Sequence, residues 1–145
     1  MSSEYYSLIV TAPIDSVLNS INEPANWLPF LPGFKQLIPR TSDTYQVSML
    51  LSLGSIERET ILTFYFTPSS NPNQLTFDYS SKNKSVTGSG KLILSSESIA
   101  ETQIEVFLDL KLNGKRNLLL APMLTSVKRK WAQDLLTQMK QLLEN

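Results

Sequence analysis

The chain of 145 residues contains neither cysteine nor histidine, and these two absences remove more chemistry than any residue present adds. Without a thiol there is no disulfide, no thiolate nucleophile and no thiolate metal site. Without an imidazole there is no Ser-His-Asp relay, no imidazole proton shuttle and no ordinary zinc or haem site. Carboxylates, Lys, Arg, Tyr and hydroxyls are what remains for a reaction, and no metal or cofactor is expected. Long hydrophobic runs are also missing. The longest, residues 118–124, is interrupted by Pro122 and is far too short to span a bilayer. The first ten residues carry Glu4 and a run of only three apolar residues after Ser7, which does not make a signal peptide. A cytoplasmic protein is expected, in which the Asn83-Lys84-Ser85 glycosylation pattern has no use.

What is present fits one ordinary domain over residues 1–145. The apolar fraction is 41% and the charged fraction 18%, and a chain of this length buries about two thirds of its unfolded surface. Net charge is zero but unevenly spread. Residues 1–110 hold six Lys/Arg against eleven Asp/Glu, and residues 111–145 hold seven against two. Lys111, Lys115, Arg116, Lys128, Arg129, Lys130 and Lys140 form the basic end. One reading is a solvated helix back packed on an acidic sheet. The other is a face for anionic lipid or an acidic protein, through Lys128, Arg129 and Lys130. Nucleic acid is not an expected partner, because the patch lacks interleaved exposed aromatics and the whole chain is neutral.

Residues 4–11 alternate loosely and read as a strand. Pro13 opens a short helix over 14–21, with Asp15 at its positive end, and Asn22-Glu23-Pro24 stops it. A second helical turn is expected over 25–28, and residues 27–33 are too rich in proline to be regular. From Phe34 the period becomes two, predicting strands at 34–41, 44–53, 56–67, 74–80, 85–95 and 101–112. Short turn clusters between them argue for an antiparallel meander. Tyr45, Val47, Met49, Leu51 and Leu53 share one face, with Leu50 the exception in the polar phase. Ile104, Val106, Leu108, Leu110 and Leu112 alternate with polar residues on the last strand. Leu120, Leu124, Val127, Trp131, Leu135, Met139 and Leu142 then recur at helical spacing. If Asn117 capped this helix, Pro122 would break a main-chain hydrogen bond. A kink or a late start near Ala121 is therefore expected, with the helix running to Leu143 and covering the sheet.

This order of elements, α+β with about seven antiparallel strands, two short N-terminal helices and one long C-terminal helix, resembles the helix-grip fold. Residues 11–17, Thr-Ala-Pro-Ile-Asp-Ser-Val, resemble the entry to the first helix in the START-related SRPBCC superfamily. Leu31-Pro32-Gly33 is similar to the short Pro-Gly signature before its second strand. Gly88-Ser89-Gly90-Lys91-Leu92 falls where relatives of the G subunit of carbon monoxide dehydrogenase carry a glycine-containing strand. The resemblance implies a cavity between sheet and helix for lipids, polyketides or other apolar molecules. For the G-subunit type it implies assembly or membrane attachment of a molybdenum hydroxylase. It supplies no catalytic motif.

Three functions follow as expectations. The first is binding or transport of a small hydrophobic molecule. Met49, Leu51, Leu62, Phe64, Phe77, Leu108 and Leu110 would form the walls, Met123, Val127 and Trp131 the lid, and Trp27 and Phe30 the mouth. Arg58 or Tyr79 would orient a polar end, although Arg58 near its strand start also reads as a rim residue reaching water. The aromatics equally read as a completely filled core. The second is an accessory or membrane-recruitment role through the basic helix. The third is a polyketide cyclase-like enzyme, for which only Arg58, Tyr45 and Tyr79 are available as interior polar groups. Glu57 and Glu59 flank Arg58 on the wet face, as do Asp78, Glu105 and Asp109 on theirs, so no carboxylate pair is expected inside. The pair Gly88 and Gly90 reads as a strand that bends, or that lets the terminal helix approach closely, rather than as a phosphate loop.

Overall fold

The computed structural model describes residues 5–114 and 120–144. Glu4, Lys115, Arg116 and the expected cap Asn117 lie outside the described residues. Seven strands form one antiparallel sheet: β1 (Tyr5–Val10), β2 (Phe34–Pro39), β3 (Thr44–Leu53), β4 (Ile56–Thr67), β5 (Gln74–Ser81), β6 (Val86–Ser98) and β7 (Glu101–Leu112). Their order in the sheet is β1-β7-β6-β5-β4-β3-β2. Consecutive strands from β2 to β7 thus pair with one another, as short turns favour, and β1 flanks β7 at the opposite edge from β2. Helix α1 (Ile14–Ile21) follows β1, and α2 (Leu124–Leu143) closes the chain.

The alternation of apolar residues becomes the alternation of burial. Tyr45, Val47, Met49, Leu51 and Leu53 are buried on one face of β3, and Ile104, Val106, Leu108 and Leu110 on one face of β7. Helix α2 lies over that face with Val127, Trp131, Leu135 and Met139 buried. The stripe is wider than its sequence spacing suggested, because Ala132 and Leu136 are buried as well. Leu142 is exposed; Leu143, one α-helical repeat beyond Met139, packs against the core instead. The far end of α2 is tied to β1 by polar contacts. Glu144 accepts the Thr11 N–H at 2.7 Å and meets the Lys140 ammonium at 2.6 Å. The Lys140 bond, followed by the Thr11 bond, holds its carboxyl below the usual carboxylate range. At the same end, near the start of β7, the buried Thr102 hydroxyl donates to the Ala12 carbonyl at 2.8 Å.

Three local expectations are modified. The second helical turn is two 3-10 turns, Pro24–Asn26 and Leu28–Phe30. Trp27 breaks them apart with φ −131°, and Pro29, which has no N–H, cannot continue an α-helix from the first into the second. Strand β6 extends to Ser98, past an irregularity in its pairing between Ser96 and Ser98, while β2 stops at Pro39. The late helix start holds: a 3-10 turn, Ala121–Met123, precedes α2. Pro122 thereby sits before the α-helical ladder, where its missing N–H breaks no bond.

Gly88 and Gly90 admit neighbours from β5, not the terminal helix. Tyr79 is the cross-strand partner of Gly88, and Phe77 of Gly90. Both rings lie across the glycines, where an added Cβ would collide with them. Aromatic side chains covering sheet glycines are a known packing solution. Here they lay two large rings flat against the buried face.

Candidate functional site

The expected cavity walls form a packed interior. Met49, Leu51, Leu62, Phe64, Phe77 and Tyr79 are each 1% exposed or less, and Leu108 and Leu110 are buried with them. Phe64 stacks on Tyr79 with centroids 5.0 Å apart, and Tyr79 reaches Trp131 at 6.0 Å. Phe77 joins Phe66 at 5.3 Å and Trp27 at 5.6 Å. Trp27 is therefore part of the core and not at a mouth. It is 1% exposed, and its indole N–H donates to the Ile21 carbonyl at 2.9 Å. Phe30, half-buried, packs against the same core. A row of rings from β4, β5 and the loop before β2 has taken the volume that the sequence left open.

The open space lies to one side, at the β3–β4 hairpin. Strand β2 pairs with β3 only as far as Phe34↔Met49, followed by one bond from the Leu50 N–H to the Gly33 carbonyl at 2.8 Å. Strand β5 meets β4 only from Leu62↔Ser81 onward. Residues 51–61 thus form a two-stranded projection with neither flank covered by a strand. On the β2 flank, between this projection and the start of α2, is a pocket of about 540 Å³. Pro32, Leu50, Pro122, Met123, Val127 and Trp131 give it apolar walls, and Gly33 and Gly54 complete them. Ser52, Ser126 and Lys130 are its polar lining. The Lys130 ammonium also meets Asp134 one helical turn away at 3.3 Å.

Of the fourteen cavity residues expected from sequence, this pocket collects Met123, Val127 and Trp131, all from the helix side. Arg58 lies outside it, in a shallower depression on the other flank of the hairpin. Tyr79 donates its hydroxyl to the Asp109 carbonyl; burial, with the Asp109 charge second, pushes its pKa far up, so it is a neutral donor. Tyr45 donates to a Glu23 carboxylate oxygen at 3.0 Å, and burial and then Glu23 raise its pKa. None of the three interior polar candidates lines the apolar pocket. The wall residues that sequence reasoning missed were mostly silent, with one exception. Leu50 was the apolar residue in a polar phase of β3, and it is half-buried in the pocket wall.

On α2, Arg129 and Lys130 are exposed and Lys128 is half-buried. Among the described residues, Lys128 and Arg129 have no carboxylate partner. No described helix is long and apolar enough to cross a membrane. Among the described residues, no group of three or more carboxylates is placed to hold a metal ion.

A family model for CoxG, the G subunit of carbon monoxide dehydrogenase, matches residues 7–144. No curated protein matches the chain. Among solved structures, a conserved protein from Geobacillus kaustophilus superposes with a TM-score of 0.80 at 15% identity, over 96% of this chain and 93% of its own. The Zhui aromatase/cyclase from Streptomyces sp. R1128 superposes with a TM-score of 0.73 at 12% identity, over 99% of this chain and 93% of its own. Norcoclaurine synthase from Thalictrum flavum, solved with dopamine and hydroxybenzaldehyde, gives 0.66 at 15% identity, over 99% and 87%. At such identities these likenesses establish a shared fold, the helix grip, and no shared chemistry.

Proposed function

The chain belongs to the CoxG family of carbon monoxide dehydrogenase, and from that premise we propose that it binds or carries a small hydrophobic molecule in the pocket between its β3–β4 hairpin and the start of α2. The observation that carries this reading is one apolar opening of about 540 Å³ beside an interior otherwise filled by aromatic rings. Ligand sites are commonly concave, largely apolar and of this size, with a few polar groups to orient the guest. Removing ~200 Å² of ligand surface from water would contribute ~5 kcal/mol at ~25 cal/mol per Å². Ser52, Ser126 and Lys130 would meet the ligand's polar end. The site uses walls different from those expected on the sheet, so the guest would lie along the first turns of α2 and not deep across the sheet.

Filling the pocket tests this. In Val127→Trp the new indole should weaken uptake of a neutral solvatochromic dye such as Nile red by at least about tenfold, or ~1.4 kcal/mol. Circular dichroism should show the fold retained, at an overpacking cost of about 1–3 kcal/mol. Undiminished dye uptake in a folded Val127→Trp protein would exclude the pocket as the binding site.

A second reading, an accessory factor recruited to a membrane or partner, is supported by one grouping on α2 and the 3-10 turn before it. Met123, an exposed pocket residue, lies one to two turns from the cations Lys128, Arg129 and Lys130. Each cation near an anionic surface contributes ~1 kcal/mol, screened by salt. The chain should therefore pellet with phosphatidylserine vesicles at low salt and be released at high salt. Replacing the three cations by glutamine should abolish pelleting; retention by that variant would remove this reading.

A further inference from the structure

We propose that the depression on the other flank of the hairpin, between β4 and the β5–β6 turn, is a second binding site, built for a phosphate-class oxyanion and distinct from the apolar pocket. It exists because β5 begins its pairing with β4 at Leu62↔Ser81. Residues 56–61 are left without a strand partner on that side, so alternate main-chain N–H groups there are free to donate. The depression encloses about 740 Å³, and its lining is cationic. Arg58 contributes a guanidinium and Lys82 an ammonium, and neither has a partner among the described residues. Glu59, the carboxylate in the lining, is already engaged by Lys35 at 2.6 Å. The Lys35 bond holds its carboxyl below the usual range.

Arg58 carries the inference furthest. It stands opposite Leu51, on the phase that leads into the core, and is half-buried without a counterion. A partly desolvated guanidinium gains most from an acceptor that fits its planar fork, and an oxyanion does so with two parallel bonds. Arg40, by contrast, already places two guanidinium nitrogens on the Gln46 side-chain oxygen at 2.7 and 3.0 Å.

The opposing turn is pre-shaped. The Ser81 hydroxyl accepts the Val86 N–H at 3.0 Å, and Asn83 Oδ1 accepts the Ser85 N–H at 3.0 Å and the Ser81 and Ser85 hydroxyls. A main-chain donor on Oδ1 fixes which way this amide faces. Its NH2 group is thus left without a partner among the described residues, as a further donor beside Lys82. A turn held by its own bonds loses little freedom when a ligand arrives.

The test is an amide NMR titration of the full chain with inorganic phosphate, against sodium chloride at matched ionic strength. Phosphate should shift resonances of residues 58–61 and 81–86 saturably, and chloride should not. Arg58→Gln should weaken binding at least about tenfold, equivalent to ~1.4 kcal/mol. Lys82→Gln, at an exposed turn position, should weaken it by a smaller factor with the fold unchanged. It carries the test should Arg58→Gln not fold. A parallel arm with dihexanoyl phosphatidic acid below its micelle concentration identifies the source of the phosphate. Tighter binding, with shifts of the Ile61 and Val86 methyls in a parallel methyl spectrum, assigns the site to a lipid headgroup; equal affinity assigns it to a free phosphate compound. Absence of saturable shifts, identical shifts with chloride, or undiminished binding in both variants would overturn the proposal.

Discussion

Replacing Trp27 by alanine should destabilise the protein by ~3–5 kcal/mol while leaving dye uptake in the apolar pocket unchanged. The indole is 1% exposed and meets Phe66 edge-on at 5.8 Å and Phe77 at 5.6 Å. Truncation removes that packing, leaves a cavity under the 3-10 turns, and strips the Ile21 carbonyl of its indole donor. An unpaired buried acceptor adds about 1–3 kcal/mol in its own right, so the upper part of the range is expected. Against a typical total of ~5–15 kcal/mol, the loss is large enough to read directly from a urea melt. Since Trp27 contributes nothing to the pocket wall, dye affinity measured well below the melting temperature should match that of the parent. A loss under ~1 kcal/mol would mean that the ring is not packed as described. A fall in dye affinity with the fold intact would return Trp27 to the ligand site.

Gly88→Ala should be comparably damaging, at about 2–5 kcal/mol for overpacking and a strained hydrogen bond together. An alanine Cβ would collide with the Asp109 carbonyl and with the ring and hydroxyl of Tyr79. Those are the two partners of the Tyr79 hydrogen bond, so the methyl would drive them apart. Tyr79 has little room to yield, with Phe64 stacked on it and Trp131 6.0 Å away. A double-mutant cycle isolates the cause. Adding Tyr79→Phe removes the displaced hydroxyl, and the pair should be less destabilised than the sum of the single variants by at least ~0.5 kcal/mol. Strict additivity in the urea midpoints would show that the obstacle is the Asp109 carbonyl or the ring carbon that phenylalanine retains, and not the hydroxyl.

Much of the framework was readable because local rules decide it. Alternation of Tyr45, Val47, Met49, Leu51 and Leu53 placed β3 at its observed bounds, and Pro13 with the stop at Asn22-Glu23-Pro24 bounded α1. Pro122 announced the late start of α2. The 3-10 turns either side of Trp27 were less readable, because proline spacing forbids a long helix without choosing among its short replacements. The site was read only in part. Val127 and Trp131 from the helical stripe, with Met123 beside them, were assigned to a lid and line the pocket, while the apolar sheet residues assigned as walls are core. Leu50 carried a local signal of the pocket wall, as an exception to the pattern. Ser52, Gly54 and Ser126 carried none.

Residue pattern alone dictates the class of fold: seven strands of period two, a long amphipathic helix of period 3.6, and an apolar face on each that had to meet. It also excluded thiol and imidazole chemistry outright. Where the open space lies is set instead by packing between distant elements. A lined cavity and a filled core both need apolar side chains at the same strand and helix phases, so their pattern does not distinguish the two. That choice depends on the summed volumes of rings brought together from β4, β5 and the Trp27 loop, and on the two glycines that let Phe77 and Tyr79 lie flat. It also depends on how far β2 and β5 follow the β3–β4 hairpin before their pairing ends. These are relations between residues far apart in the chain, and they moved the opening from beneath the helix to the hairpin's edge.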